Sequence, residues 1–195
     1  MEKIILASSS PRRRELMAQA GFAFEVLVSE ADETIETETP GEMVEVLSER
    51  KAAAVAEEIK RQGFTEASVL LVGADTMVAI DGKKLGKPKD EKGAEEMLEE
   101  LSGRMHQVVT GCCLCYQGRE HVFQDVTLVE MYPLSAAEIE SYLDTGEYAD
   151  KAGSYGIQGK GALLVRQIQG DYYNVMGLPI ARLAREATRF LLSEE

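Results

Sequence analysis

Two long segments, Met105–Tyr116 and Glu120–Tyr132, meet at Gln117-Gly118, a pair suited to a tight hairpin turn. A hairpin is antiparallel, so a sheet that contains it cannot be purely parallel. Helices and strands alternate around it. Lys3–Ser8 reads as a buried strand, Pro11–Ala20 as a helix that Ser10 caps and Gly21 follows, and Phe22–Val28 as a second strand. Thr39-Pro40-Gly41-Glu42 pairs a capping Thr with a Glu three residues on, and opens a helix that runs to about Arg61. Val69–Val72 is a fully apolar strand, continued by Met77–Ile80 and a turn at Asp81-Gly82. Asp90–Leu101 reads as an acidic helix, and Ser135-Ala136-Ala137-Glu138 starts another that stops near Gly146. A loop with Gly153, Gly156, Gly159 and Gly161 leads to a strand at Ala162–Val165, and Pro179–Leu192 closes the chain as a helix. This mixture is α/β, a mixed sheet with flanking helices. At 195 residues the chain suffices for one sizeable core or two small lobes sharing a sheet.

The formal net charge is −13, which disfavours nucleic acid and anionic membrane, because phosphate backbones are held chiefly by Lys and Arg. The longest stretch without Asp, Glu, Lys or Arg is Met105–Gly118, short of the about 20 apolar residues a spanning helix needs. The apolar run Ile4–Ala7 is too short for a signal peptide, and its arginines follow rather than precede it. A cytoplasmic protein is expected. Cys112, Cys113 and Cys115 fit neither zinc nor disulfide spacing and read as small buried hydrophobes, with Cys113 and Cys115 on one strand face. His106 and His121 do not form a metal pair.

Four features carry chemistry. Ser8-Ser9-Ser10-Pro11-Arg12-Arg13-Arg14 lies at a strand-to-helix junction. A helix N-terminus is itself partly positive, so three arginines there cost stability unless an anion such as phosphate is supplied. Arginines pairing the acidic exterior are the structural alternative. Lys51 falls inside the apolar stripe Met43, Val44, Leu47, Ala54, Val55, where it either snorkels to solvent or meets a buried anion. Asp75, in Gly73-Ala74-Asp75-Thr76, is expected at the carboxyl end of an apolar strand, a usual place for a catalytic or metal-binding carboxylate, though it could also satisfy turn amides. Lys87 adds a cation in Gly86-Lys87-Pro88. The acidic run Glu30-Ala31-Asp32-Glu33 is either a solvated face or a carboxylate source for a divalent ion that bridges phosphates.

These segments, together with Asp150-Lys151-Ala152-Gly153-Ser154-Tyr155-Gly156-Ile157-Gln158-Gly159 and Asn174-Val175-Met176-Gly177-Leu178-Pro179, resemble in order and spacing the Maf (septum formation) family of nucleoside triphosphate pyrophosphatases. The likeness covers essentially the whole chain, so residues 1–195 are expected to form a single Maf-like domain. The resemblance implies an ITPase-like α/β fold, an elongated mixed sheet with a central cleft between two lobes. It also implies cleavage of a nucleoside triphosphate into monophosphate and pyrophosphate with a divalent cation, Mg²⁺ or Mn²⁺, and a homodimer. By the same resemblance Asp75 is the proton acceptor, Glu33, Lys51 and Lys87 are catalytic, Ser8 and Arg13 bind substrate, and Asp75 with Glu33 hold the metal. Ser154 stands where Ala is frequent.

Arg12, Thr76 and Gln158 occupy the positions that separate the subfamilies. The branch acting on 7-methyl-GTP tends to carry an aromatic residue, Gln and Glu there; Arg, Thr and Gln resemble the dTTP/UTP branch. The chemistry agrees: a methylated guanine is cationic and suits a carboxylate, whereas uracil and thymine present an N3–H beside carbonyls, which an amide can meet. The leading expectation is a dTTP and UTP pyrophosphatase with a part in removing modified nucleotides or restraining division. The alternatives are the same chemistry on other modified triphosphates, and a nucleotide-sensing regulator of division whose catalysis is incidental.

Overall fold

The computed structural model describes residues 3–28, 30–35, 39–63 and 69–193. Residues 36–38 of the Glu- and Thr-rich loop lie outside them. The strands are β1 (Lys3–Ala7), β2 (Phe24–Val26), β3 (Val69–Ile80), β4 (Lys83–Leu85), β5 (Met105–Tyr116), β6 (Arg119–Met131) and β7 (Val165–Gln169). The helices are α1 (Pro11–Gln19), α2 (Pro40–Arg61), α3 (Glu91–Leu101), α4 (Ala136–Leu143), α5 (Tyr172–Met176) and α6 (Ile180–Leu192). The sheet order is β2-β1-β3-β5-β6-β7, with β4 on β3. β1 runs parallel to both β2 and β3, while β4 on β3 and β7 on β6 are antiparallel, so the sheet is mixed as expected.

Local sequence signals account for many of the element ends. Thr39 Oγ1 accepts from the Glu42 amide while the Glu42 carboxylate accepts from the Thr39 amide, and Ser135 with Glu138 repeats the arrangement. Asp90 caps α3 through the Gly93 amide. Asp81-Gly82 and Gln117-Gly118 all have positive φ, the condition for a two-residue hairpin turn that follows the strand twist.

The chain folds into two compact units. The first comprises Met1–Asp75, Thr110–Asp125 and Gly177–Glu195; the second comprises Thr76–Val109 and Val126–Met176. In the first, α2 lies on the β3 face that carries Val69 and Leu71, and these pack with Ile5, Ala7, Val55 and Ile59. Burying each such aliphatic side chain contributes on the order of 2 kcal/mol. On the opposite face, Ile4, Leu70 and Val72 line an apolar cavity with Met17 of α1 and Leu183 and Ala187 of α6. The second unit has its own core, in which Val78, Ile80 and Leu85 meet Leu98 and Leu101 of α3, Ile139 and Tyr142 of α4, and Val129 and Met131 of β6.

Three expectations are corrected. The apolar strand does not end at Val72: β3 is continuous for 12 residues, and Asp75 sits inside it rather than at its carboxyl end. An isolated Gly in a strand signals either a break or close backbone approach; at Gly73 it is the latter, since a Cβ there would stand 2.2 Å from the Ser48 carbonyl oxygen of α2. No strand starts at Ala162. Gly159–Leu163 is a 3₁₀ turn, and the strand begins at Val165, opposite Met131. The turn is tight because Gly161 lies against Gly156, where a Cβ would be 2.0 Å from the carbonyl oxygen. Finally, Tyr172–Met176 forms a short helix where no element was expected. Cys112 and Cys113 are buried and Cys115 is partly so, all three free, with the Cys113 and Cys115 sulfurs 3.5 Å apart on one face as the alternation requires. Burial pushes the Cys112 thiol up to about 12.

Candidate functional site

Alternation along β3 puts Val69, Leu71, Gly73 and Asp75 on the face that α2 covers. Val69 and Leu71 pack with Val55 and Ile59 of α2, Gly73 lies against Ser48 and Ala52, and Asp75 meets Lys51. Two glycines allow this approach: Gly73, and Gly111 of β5, where a Cβ would stand 2.3 Å from the Val44 carbonyl oxygen. With α2 this close, the lysine stem ends at the strand. Lys51 Nζ donates to Asp75 Oδ1 at 2.6 Å and lies 2.8 Å from Glu33 Oε1. The Lys51 and Asp75 side chains are 12% and 13% exposed, whereas Glu33 is 60% exposed. The lysine therefore does not snorkel to solvent. It bridges a buried carboxylate to an exposed one.

A second cation, Arg13, is buried in this unit. Its Nε donates to the Gly177 carbonyl at 2.8 Å, and its Nη1 donates to the Ala74 carbonyl at 2.9 Å and to Ser8 Oγ at 3.2 Å. Ser8 Oγ also accepts from the Ser10 amide at 3.2 Å. Burial lowers the Arg13 pKa, and the charge of Asp75 opposes that shift. Arg12 is half-buried, Arg14 is exposed and donates to the Ser9 carbonyl, and the first turn of α1 contains no acidic residue.

Thr76, Lys87 and Gln158 belong to the second unit. Thr76 is half-buried and follows Asp75 on β3, so it projects from the other face of the strand. Lys87 and Gln158 are exposed on loops. These two loops are tied together through Gly153, whose amide donates to the Gly86 carbonyl at 3.1 Å and whose φ is +68°. Tyr155 anchors the Gln158 loop from inside, its hydroxyl 2.6 Å from His106 Nε2, and the Gly156 amide donates to the Tyr142 hydroxyl at 3.3 Å. Burial pushes His106 down to about 4 and raises Tyr155 above its ordinary range, so both are neutral at pH 7.

A family model described as Maf-like protein matches residues 3–190. The chain belongs to the Maf family. Three relatives, each named dTTP/UTP pyrophosphatase, align over 97% of this chain. The one from Bacillus cytotoxicus is 50% identical over 96% of its own length. Those from Symbiobacterium thermophilum and Bacillus pumilus are 49% and 48% identical over 95% and 97% of theirs.

In this Maf chain no cluster of three or more His, Cys, Asp or Glu side chains is arranged to hold a metal ion among the described residues. The donors present are Asp75 and Glu33, joined through one ammonium. That set suits a Mg²⁺ or Mn²⁺ that arrives with phosphates and keeps water, which needs only one or two carboxylates. It does not suit a resident ion caged by protein alone. No helix among the described residues is long and apolar enough to cross a membrane. Motif reading missed the part of Gly73 and Gly111 in seating α2, and of His106 with Tyr155 beneath the Gln158 loop. Only the glycines within strand-like runs gave any signal.

Proposed function

We propose that the chain hydrolyses dTTP and UTP to the nucleoside monophosphate and pyrophosphate. The observation that carries this reading is the Asp75 carboxylate, buried inside β3 and fixed by the Lys51 ammonium at 2.6 Å, with Glu33 on the same ammonium. The names of the relatives support the reaction and the substrates, and Arg12, Thr76 and Gln158 agree with the dTTP/UTP branch.

Water attacks the α-phosphorus in line with the leaving group. A P–O bond forms, the bond from the α-phosphorus to the bridging oxygen breaks, and pyrophosphate leaves with the bond's electron pair. Asp75 orients the attacking water and accepts its proton; a carboxylate is a weak base, so the proton moves late in the step. Lys51 keeps Asp75 in one orientation and supplies positive charge, as does Lys87. The partly positive N-terminus of α1, with Arg12 in its first turn, adds to the attraction for phosphate. Asp75 and Glu33 would hold a divalent cation, which would supply charge neutralisation for the leaving pyrophosphate. The Gln158 amide meets the N3–H and carbonyl edge of uracil or thymine, and the Thr76 hydroxyl adds a contact. Neither side chain separates the two bases. On this reading residues 1–195 work as one Maf-like domain, in the cytoplasm, as a homodimer, on free nucleotide rather than nucleic acid.

Pyrophosphate release across a panel of nucleoside triphosphates, with Mg²⁺, with Mn²⁺ and with excess chelator, tests this. dTTP and UTP should be cleaved fastest, and chelator should abolish turnover. Faster cleavage of a purine triphosphate overturns the substrate assignment, and undiminished activity in chelator overturns the metal's part.

A further inference from the structure

We infer that Arg13 is a positioning residue: it anchors the segment of β3 that carries Asp75 rather than gripping substrate phosphate. The inference rests on the pyrophosphatase reading and departs from the substrate-binding role that the family resemblance implies.

The ladder between β1 and β3 runs from Lys3 opposite Val69 to Ala7 opposite Gly73 and ends there. β1 stops at Ala7, so β3 leaves its parallel neighbour one residue before Ala74 and two before Asp75. β5 neighbours β3 on the other edge, so beyond Gly73 it is the β1 edge that loses its ladder, and a catalytic carboxylate there gains precision when something continues the restraint on that edge. Arg13 does so, because its Nη1 donates at 2.9 Å to the Ala74 carbonyl, the peptide group that joins Ala74 to Asp75. The same guanidinium donates to the Gly177 carbonyl at 2.8 Å and to Ser8 Oγ at 3.2 Å. Three chain segments of the first unit are thus tied through one rigid, planar group: the end of β1, the middle of β3 and the residue three before α6. Ser8 is fixed in turn, its oxygen accepting from both Arg13 and the Ser10 amide.

Charge supports the assignment. Arg13 is buried to 8% exposure, and taking a guanidinium out of water is costly unless it is paired and bonded. The charge of Asp75 opposes the effect of that burial. Lysine cannot take over the task, since an ammonium lacks the planar fork that reaches several fixed acceptors at once. A nearby cation that only attracted phosphate would tolerate lysine.

The test compares wild type with Arg13→Lys and Ser8→Ala. Each protein is assayed for kcat and KM on dTTP, for the Kd of a dTTP analogue with an imido bridge between the α and β phosphorus atoms, and for amide exchange over residues 73–76. Arg13→Lys should lower kcat per folded molecule by about 100-fold, the usual consequence of roughly 1 Å of misplacement. Its analogue Kd should stay within about 3-fold of wild type, and its exchange at 73–76 should quicken. Ser8→Ala removes one acceptor and should give a smaller loss of the same pattern; it decides the matter if Arg13→Lys does not fold. A Kd weakened by about 10-fold or more with unchanged exchange makes Arg13 a phosphate contact and overturns the inference. A lower melting temperature with wild-type kcat per folded molecule makes it merely structural, and also overturns it. If wild type cleaves no triphosphate, the pyrophosphatase reading fails instead, while the exchange measurement still judges the anchor.

Discussion

In the first unit the buried polar centre is ionic: Asp75 and Arg13 are buried, and Lys51 is nearly so. In the second it is neutral: His106 shares a hydrogen bond with Tyr155, and Asn174 Nδ2 donates to Thr127 Oγ1 and to the Val108 carbonyl. Neutral hydrogen-bonded groups cost less to bury than ions and fix loops in place, whereas ions are expensive to bury even when paired. A fold that needed only cohesion at Asp75 could use a neutral pair. Retaining ions there points to chemistry, while the second unit's network holds the Gln158 loop in shape.

The largest expected effect breaks the ionic centre. Asp75→Asn preserves shape and removes charge, so dTTP turnover should fall by roughly 10³ while the melting temperature changes little. Turnover within a few-fold of wild type removes Asp75 from the reaction. The second prediction concerns the neutral centre and pH. His106 has a folded pKa of about 4, below its ordinary value of 6.5, so between those values the unfolded chain binds a proton that the folded chain does not. Stability should therefore be lost as pH falls from about 6.5 towards 4, by up to about 3 kcal/mol. Denaturant titrations of wild type and His106→Gln should differ in slope across that window; parallel curves contradict a neutral buried His106.

Next in size is Lys51→Met, which leaves Asp75 and Glu33 without their shared ammonium. We expect kcat/KM to fall by about 10² with the protein still folded. An inactive population that is simply unfolded, with normal activity in the folded remainder, would make Lys51 structural. The smallest effect sharpens the geometry between helix and strand. Gly73→Ala sets a methyl against the Ser48 carbonyl, which is backbone and can yield only if α2 shifts. A stability loss of about 1–3 kcal/mol should accompany reduced turnover. Gly82→Ala, at a turn with nothing near its Cβ, serves as the control: it strains the backbone but should leave turnover per folded molecule unchanged.

What the sequence determined by itself is local. The capping boxes at Thr39 and Ser135, the hairpin turns at Asp81-Gly82 and Gln117-Gly118, and the mixed α/β class each rest on residues a few positions apart, whose interactions form wherever the rest of the chain lies. The motifs that mark the family are short runs of the same kind, so Asp75, Lys51, Glu33 and Arg13 could all be named in advance. Their arrangement could not. Lys51 meets a carboxylate 24 positions away, and Arg13 reaches carbonyls 61 and 164 positions away. An amphipathic pattern says that Lys51 falls on a buried face but not what waits there, and a cluster of arginines looks alike whether its charge faces phosphate or a strand. Tertiary structure decided both, because the partner of a buried ion is set by which segments the sheet and α2 bring together, and that placement is fixed by packing over the whole unit, down to the missing side chain of Gly73.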